Sequence, residues 1–118
     1  MGNEAKRFVG IDLSKRTYEA VAITINPQTI IRWNGKLDLR GRKCLLDKLH
    51  SGDTIALEAG TASFKIAKEI QSKQGVMVVV LNAANVAIIH ASLKKTDKED
   101  ALKLARLIEK YSPEELPV

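Results

Sequence analysis

Three strand-like stretches follow one another from the N-terminus, joined by connections too short for a parallel crossover. Residues 7–13 read as a short buried strand with one carboxylate inside it. Tyr18–Ile25 is rich in β-branched residues, and Val21, Ile23 and Ile25 alternate at period two. Asn26-Pro27 signals a turn. Thr29–Leu37 resumes the pattern, with Ile31, Trp33 and Leu37 assigned to one face. Asn34-Gly35 marks either a bulge or an early end to this strand. The expected arrangement is an antiparallel meander, and this constrains everything that follows.

The pattern then changes period. Arg40–His50 places Leu45, Leu46 and Leu49 at helical spacing, and Ser51-Gly52-Asp53 ends it. Thr54–Glu58 reads as a strand that finishes on a carboxylate. Ala62–Gln74 reads as an amphipathic helix, with Phe64, Ala67 and Ile70 inward and Lys65, Lys68 and Lys73 outward. Gly75 stops it. Val76–Leu81 is a continuous apolar run, expected as a strand covered on both faces. Asn82–Leu93 is weakly helical in pattern. Thr96 and Glu99 have capping-box spacing ahead of a last helix, whose apolar stripe is Ala101, Leu104, Ala105 and Ile108. Ser112-Pro113-Glu114-Glu115 reads as the start of a further turn, so the natural polypeptide is expected to continue past Val118. The order is βββαβαβα. It implies an α/β fold, a mixed sheet flanked by helices in the ribonuclease H-like order.

At 118 residues the chain suits one domain, residues 1–118, with a core over about 7–111 and no internal repeat. An apolar fraction of 45% argues against disorder. The longest apolar run, Val76–Leu81, is far short of the roughly 20 residues that span a bilayer. The N-terminus does not resemble a secretory signal, and the one cysteine, Cys44, has no internal disulfide partner. A cytoplasmic location is expected, with Cys44 a buried thiol beside Leu45. The net charge is +5, and it is uneven. Residues 1–50 carry ten basic and five acidic side chains, whereas each sign balances in the rest. A basic half suits a polyanion such as nucleic acid, although the same charge also keeps a small domain soluble.

Four carboxylates stand out by position. Asp12 interrupts an apolar strand, where an unpaired charge is costly and calls for a partner or a metal. A salt bridge to Lys15 or Arg16 is its structural alternative. Glu58 ends the fourth strand, where a solvated end is the common outcome. Asp97 and Asp100 lie three apart at the start of the last helix, on one face, where helix capping is the alternative. In the ribonuclease H-like order the first and fourth strands are neighbours. All four groups then converge. Such a cluster repels itself unless it holds hard divalent cations such as Mg²⁺, or Mn²⁺ as a substitute. Two such cations support phosphoryl transfer.

Val9-Gly10-Ile11-Asp12-Leu13-Ser14-Lys15, Leu57-Glu58-Ala59-Gly60 and Lys95-Thr96-Asp97-Lys98-Glu99-Asp100-Ala101, in this order and spacing, resemble the DEDD transposase domain. This is the RuvC-like N-terminal domain of transposases of the Insertion Sequence 110 type. The resemblance covers about residues 7–111. It implies a Mg²⁺-binding catalytic and metal tetrad of Asp12, Glu58, Asp97 and Asp100. It also implies a DNA transposase or site-specific recombinase, a homo-oligomer in the full-length protein, with a structured guide RNA. A C-terminal domain bearing a nucleophilic serine is implied for the family and is absent from these 118 residues, so this domain alone is expected to be inactive. One departure is visible: the family's Glu-x-Thr-Gly is here Glu58-Ala59-Gly60-Thr61, with Phe64 near the aromatic place that follows.

Lys15, Arg40, Arg42, Lys43, Lys94, Lys95 and Lys98 are candidate contacts to a nucleic-acid backbone; Arg40, Arg42 and Lys43 are equally at home on a solvated helix start, and Lys15 is a weaker candidate. Ser14 is a weaker candidate for a phosphate, and Trp33 reads as a packed strand residue. His50 and His90 lack ligand spacing. Alternative functions are a RuvC-like junction nuclease, a non-catalytic nucleic-acid-binding module, and an actin-like or sugar-kinase lobe. The last wants a glycine soon after the strand aspartate, and Leu13-Ser14-Lys15 follows instead.

Overall fold

A computed structural model describes residues 6–25, 27–60, 62–82 and 100–111. The three N-terminal stretches form β1 (Arg7–Leu13), β2 (Thr17–Thr24) and β3 (Thr29–Lys36). Each pairs antiparallel with the next, from Arg7 opposite Thr24 and from Thr17 opposite Lys36. β3 runs through Asn34-Gly35 without ending. Then come α1 (Leu39–Asp47), β4 (Asp53–Glu58), α2 (Ser63–Gln71), β5 (Met77–Leu81) and α3 (Asp100–Lys110). β4 lies parallel to β1, and β5 parallel to β4, which gives the sheet order β3-β2-β1-β4-β5. The architecture is an α/β mixed sheet of five strands, consistent with a ribonuclease H-like fold. Among the described residues no helix is long and apolar enough to cross a membrane.

Strand alternation sorts the core into two layers. Val9 and Ile11 of β1, with Ile55 and Leu57 of β4, face α1 and α2 and pack with Leu45, Leu49, Ile66 and Ile70. The alternate residues face α3. There Ala56, Val79 and Leu81 meet Leu104, Leu107 and Ile108, while Val21 and Ile23 meet Ala101, Leu102 and Ala105. α3 buries six of its eleven residues this way. At about 1.5–3 kcal/mol per large apolar side chain, this face is what holds the helix on the sheet. From Val78 onward β5 is covered from both sides, as its apolar run predicts, with Val79 and Leu81 on the α3 side and Val78 and Val80 on the other; Met77 is exposed.

Several side chains face differently from the pattern. Phe64 is 68% exposed; the buried face of α2 is Ser63, Ile66, Ala67 and Ile70. Ala67 and Ile70 face inward as expected; the face is completed by Ile66 and Ser63 in place of Phe64. Ile31 and Ile25 are exposed, Ile31 because β3 is an edge strand whose cover reaches only Trp33. Cys44 is exposed, one helical step of about 100° away from buried Leu45. α1 begins one residue earlier than Arg40, because Asp38 caps it by accepting the Gly41 N–H at 2.7 Å. Residues 83–93 of the helix expected over Asn82–Leu93, the Thr96 cap and the turn at Ser112-Pro113 lie outside the described residues.

Candidate functional site

The site is built from strand parity. On β1, Gly10 and Asp12 lie on the face opposite Val9 and Ile11. On β4, Glu58 follows Ala56 on that same α3 side. The parallel ladder ends at Ile11 opposite Leu57, so Asp12 and Glu58 each stand one residue beyond it, side by side at the carboxyl ends of neighbouring strands. Carboxyl ends of parallel strands are where open α/β sheets bind ligands. A concavity of about 370 Å³ opens there, lined among others by Asp12, Ser14, Lys15, Glu58, Gly60 and Ser63.

The third carboxylate arrives on α3. Asp100 is the first described residue of that helix, where a negative charge is favourable. Gly10 sets how close the helix comes. A Cβ at Gly10 would stand 2.0 Å from the Ala101 carbonyl oxygen and 2.6 Å from the Ala105 nitrogen. Only glycine lets α3 lie directly on β1 and carry Asp100 toward Asp12.

Burial and like charge act in the same sense on both strand carboxylates. Burial raises the Asp12 carboxyl above its ordinary range, and the charges of Asp100 and then Glu19 raise it further. Burial likewise raises Glu58, helped by Asp12 and then Asp100. Asp12 therefore does not take the salt bridge open to it in sequence: among the described ion pairs it joins neither Lys15 nor Arg16. Asp100 touches Lys103 at 4.0 Å, a long exposed pair.

Glu19 is a carboxylate that the sequence reading missed. It sits directly opposite Asp12 in the β1–β2 register and shares the α3 side with Val21 and Ile23. Its only signal in the sequence is parity with those two residues. Asp97 lies outside the described residues, as do Lys94, Lys95 and Lys98. Among the described residues, no three His, Cys, Asp or Glu side chains are placed to hold a metal ion together. The donor set is nonetheless of the right kind. It is all carboxylate oxygen, partly buried and mutually repulsive, and Mg²⁺ commonly takes only one or two carboxylates, with substrate phosphate and water completing its shell.

The loop after β4 is fixed locally. The Ala59 N–H donates to the Leu81 carbonyl at 2.7 Å, and the buried Ser63 hydroxyl both donates to the Gly60 carbonyl and accepts the Gly60 N–H, each at 2.9 Å. Gly60 is in open space, so the altered Gly-Thr order forces no strained turn at this position. Of the basic candidates, Lys15 lines the concavity. Arg40 and Lys43 are exposed on α1. Arg42 is committed inside the fold: it pairs with Glu69 at 3.1 Å and donates to the Leu37 carbonyl at 2.8 Å, tying α1 to α2.

Raised carboxylates make a signed prediction. A group whose folded pKa exceeds its unfolded value contributes stability below the unfolded value and loses it as pH rises through the folded value. For Asp12 and Glu58 that loss begins above their ordinary values of 3.8 and 4.5. Without divalent cations, Asp12→Asn/Glu58→Gln should melt higher than wild type at pH 7, by about 2 °C given solvent screening, and no higher at pH 3. Thermal melts at both pH values check this. A gap independent of pH would contradict the repulsion.

The profile of a transposase family, the DEDD domain of the Insertion Sequence 110 type, matches residues 9–117. A search of curated proteins returns no match.

Proposed function

The chain belongs to this transposase family, and from that premise we propose that it is the RuvC-like catalytic domain that cuts and transfers DNA strands during insertion-sequence transposition. The observation that carries the reading is the placement of Asp12 and Glu58 side by side at the carboxyl ends of β1 and β4, on the wall of one concavity. In this reading Asp12 and Glu58 would hold Mg²⁺, with Asp100 and, from the family pattern, Asp97 beside them. A pair of such cations held there would supply activation of an attacking oxygen and stabilisation of a leaving oxygen on phosphorus. The chain's own part is to fix two carboxylates on adjacent strands, to bring a third on α3, and to place Lys15 where a DNA phosphate enters an otherwise acidic concavity. Full strand transfer is assigned to the oligomeric full-length protein, with its serine-bearing domain and a structured guide RNA.

The test is Mn²⁺ affinity, measured by titration in the presence of a short DNA strand. Asp12→Asn should weaken it about tenfold or more, the cost of losing one of very few ligands, with the circular dichroism spectrum unchanged. Unchanged affinity would remove the metal site. A second reading, a nucleic-acid-binding module without catalysis, draws on the lack of a metal-holding trio among the described residues. It predicts equal DNA binding with Mn²⁺ and with EDTA.

A further inference from the structure

A second recess, of about 330 Å³, lies beside the carboxylate concavity and shares one wall with it. Its lining is Lys15, Arg16, Lys36, Leu37 and Asp38, and Lys15 belongs to both hollows. The backbone beneath is fixed. The Ser14 N–H donates to the Thr17 carbonyl at 2.8 Å, closing the β1–β2 turn that carries Lys15 and Arg16. The Leu37 N–H donates to the Arg16 carbonyl at 2.8 Å, bonding that turn to the end of β3. Lys36 stands opposite Thr17 in the β2–β3 register, so it flanks the same turn.

The charge of this recess is unbalanced. Three cations face one carboxylate, and that carboxylate is engaged, since Asp38 accepts the Gly41 N–H as the cap of α1. None of the three cations has a carboxylate partner among the described ion pairs. Like charges gathered on a fixed turn repel one another, and an anion relieves them. Leu37 and the aliphatic stems form much of the wall, and the three cationic heads are the groups that would meet a phosphate oxygen.

We infer that the recess bounded by Lys15, Arg16 and Lys36 binds a backbone phosphate of the DNA strand whose neighbouring phosphate lies at Asp12 and Glu58. This rests on the proposed function for the identity of the strand. The recess offsets the repulsion that the carboxylates impose on that strand and sets its direction: out of the acidic hollow, past Lys15, across the β1–β2 turn. Arg16 and Lys36 are positioning residues.

The experiment is fluorescence anisotropy of the 118-residue chain with a labelled 12-nucleotide single-stranded DNA between 50 and 200 mM salt. Arg16→Ala/Lys36→Ala should bind about fivefold more weakly at 100 mM salt. Its slope of log affinity against log salt should fall by about 0.7, the loss of one neutralised phosphate on a single strand. Lys65→Ala/Lys68→Ala removes the same charge from the exposed side of α2 and should change affinity less than twofold. Unchanged affinity and slope in the first variant, an equal loss in the second, or no DNA binding by the folded chain would each overturn the inference. An RNA strand of the same sequence bound tenfold more tightly would reassign the recess and overturn the DNA assignment. Should Asp12→Asn leave Mn²⁺ affinity unchanged, the metal reading falls, while the recess is still judged by its own salt slope.

Discussion

Asp53→Ala should cost the fold about 3–5 kcal/mol, a large part of the stability of any domain this size. Asp53 is 1% exposed and Arg7 is 7% exposed. They form a two-pronged pair, Nε to Oδ1 at 2.8 Å and Nη2 to Oδ2 at 2.7 Å. The same Nη2 donates to the Lys48 carbonyl at 3.0 Å, and Asp53 Oδ2 also accepts the His50 N–H at 2.8 Å. The pair thus joins the starts of β1 and β4, paired in register, to the end of α1. Removing the carboxylate leaves a guanidinium in the interior with a single carbonyl partner, and that stranded charge accounts for most of the loss. Denaturant midpoints measure it. The double variant Arg7→Met/Asp53→Leu should recover most of the deficit, because two apolar groups leave no charge behind. A loss under 1 kcal/mol in Asp53→Ala would mean that the pair is hydrated after all.

Gly10→Ala should destabilise by about 3 kcal/mol, the upper end for overpacking, and should weaken Mn²⁺ binding as well. The new methyl would meet backbone atoms of Ala101 and Ala105 and the Leu104 Cβ at 2.9 Å. Backbone cannot rotate aside as a side chain can, so α3 must lift from β1. Its buried face then loses contact with β2 and β4, and Asp100 draws away from Asp12. Gly60→Ala is the comparison. A Cβ there meets nothing closer than the Glu58 carbonyl at 4.0 Å, so stability should change by less than about 0.5 kcal/mol. Equal effects at the two glycines would contradict the close-approach role of Gly10.

These two sites differ in how far the sequence foretells them. The strands and Asp12 are legible because period-two patterns and an interrupted apolar run are local signals, whereas the β1–β4 adjacency is expected only from the ribonuclease H-like element order. The Arg7–Asp53 pair is not, since it joins positions 46 apart and exists only once the register is set. In sequence, Asp53 reads as part of the loop that ends a helix. Gly10 reads as a strand residue, because nothing local shows which helix crosses it. Phe64 and Cys44 were misassigned for a related reason: helical spacing allows neighbouring faces, and tertiary contacts choose between them. Glu19 resembles an ordinary exposed strand residue until its cross-strand partner turns out to be Asp12.

The central claim is that Asp12 and Glu58 together form a cation site for chemistry on DNA. A crystal of the chain with a short DNA strand, soaked in Mn²⁺ and read by anomalous scattering, tests it most directly. The account predicts a peak with oxygen atoms of Asp12 and Glu58 at about 2.0–2.3 Å, a DNA phosphate completing its shell. DNA bound with no peak between these two carboxylates, or with the metal held elsewhere, would contradict it.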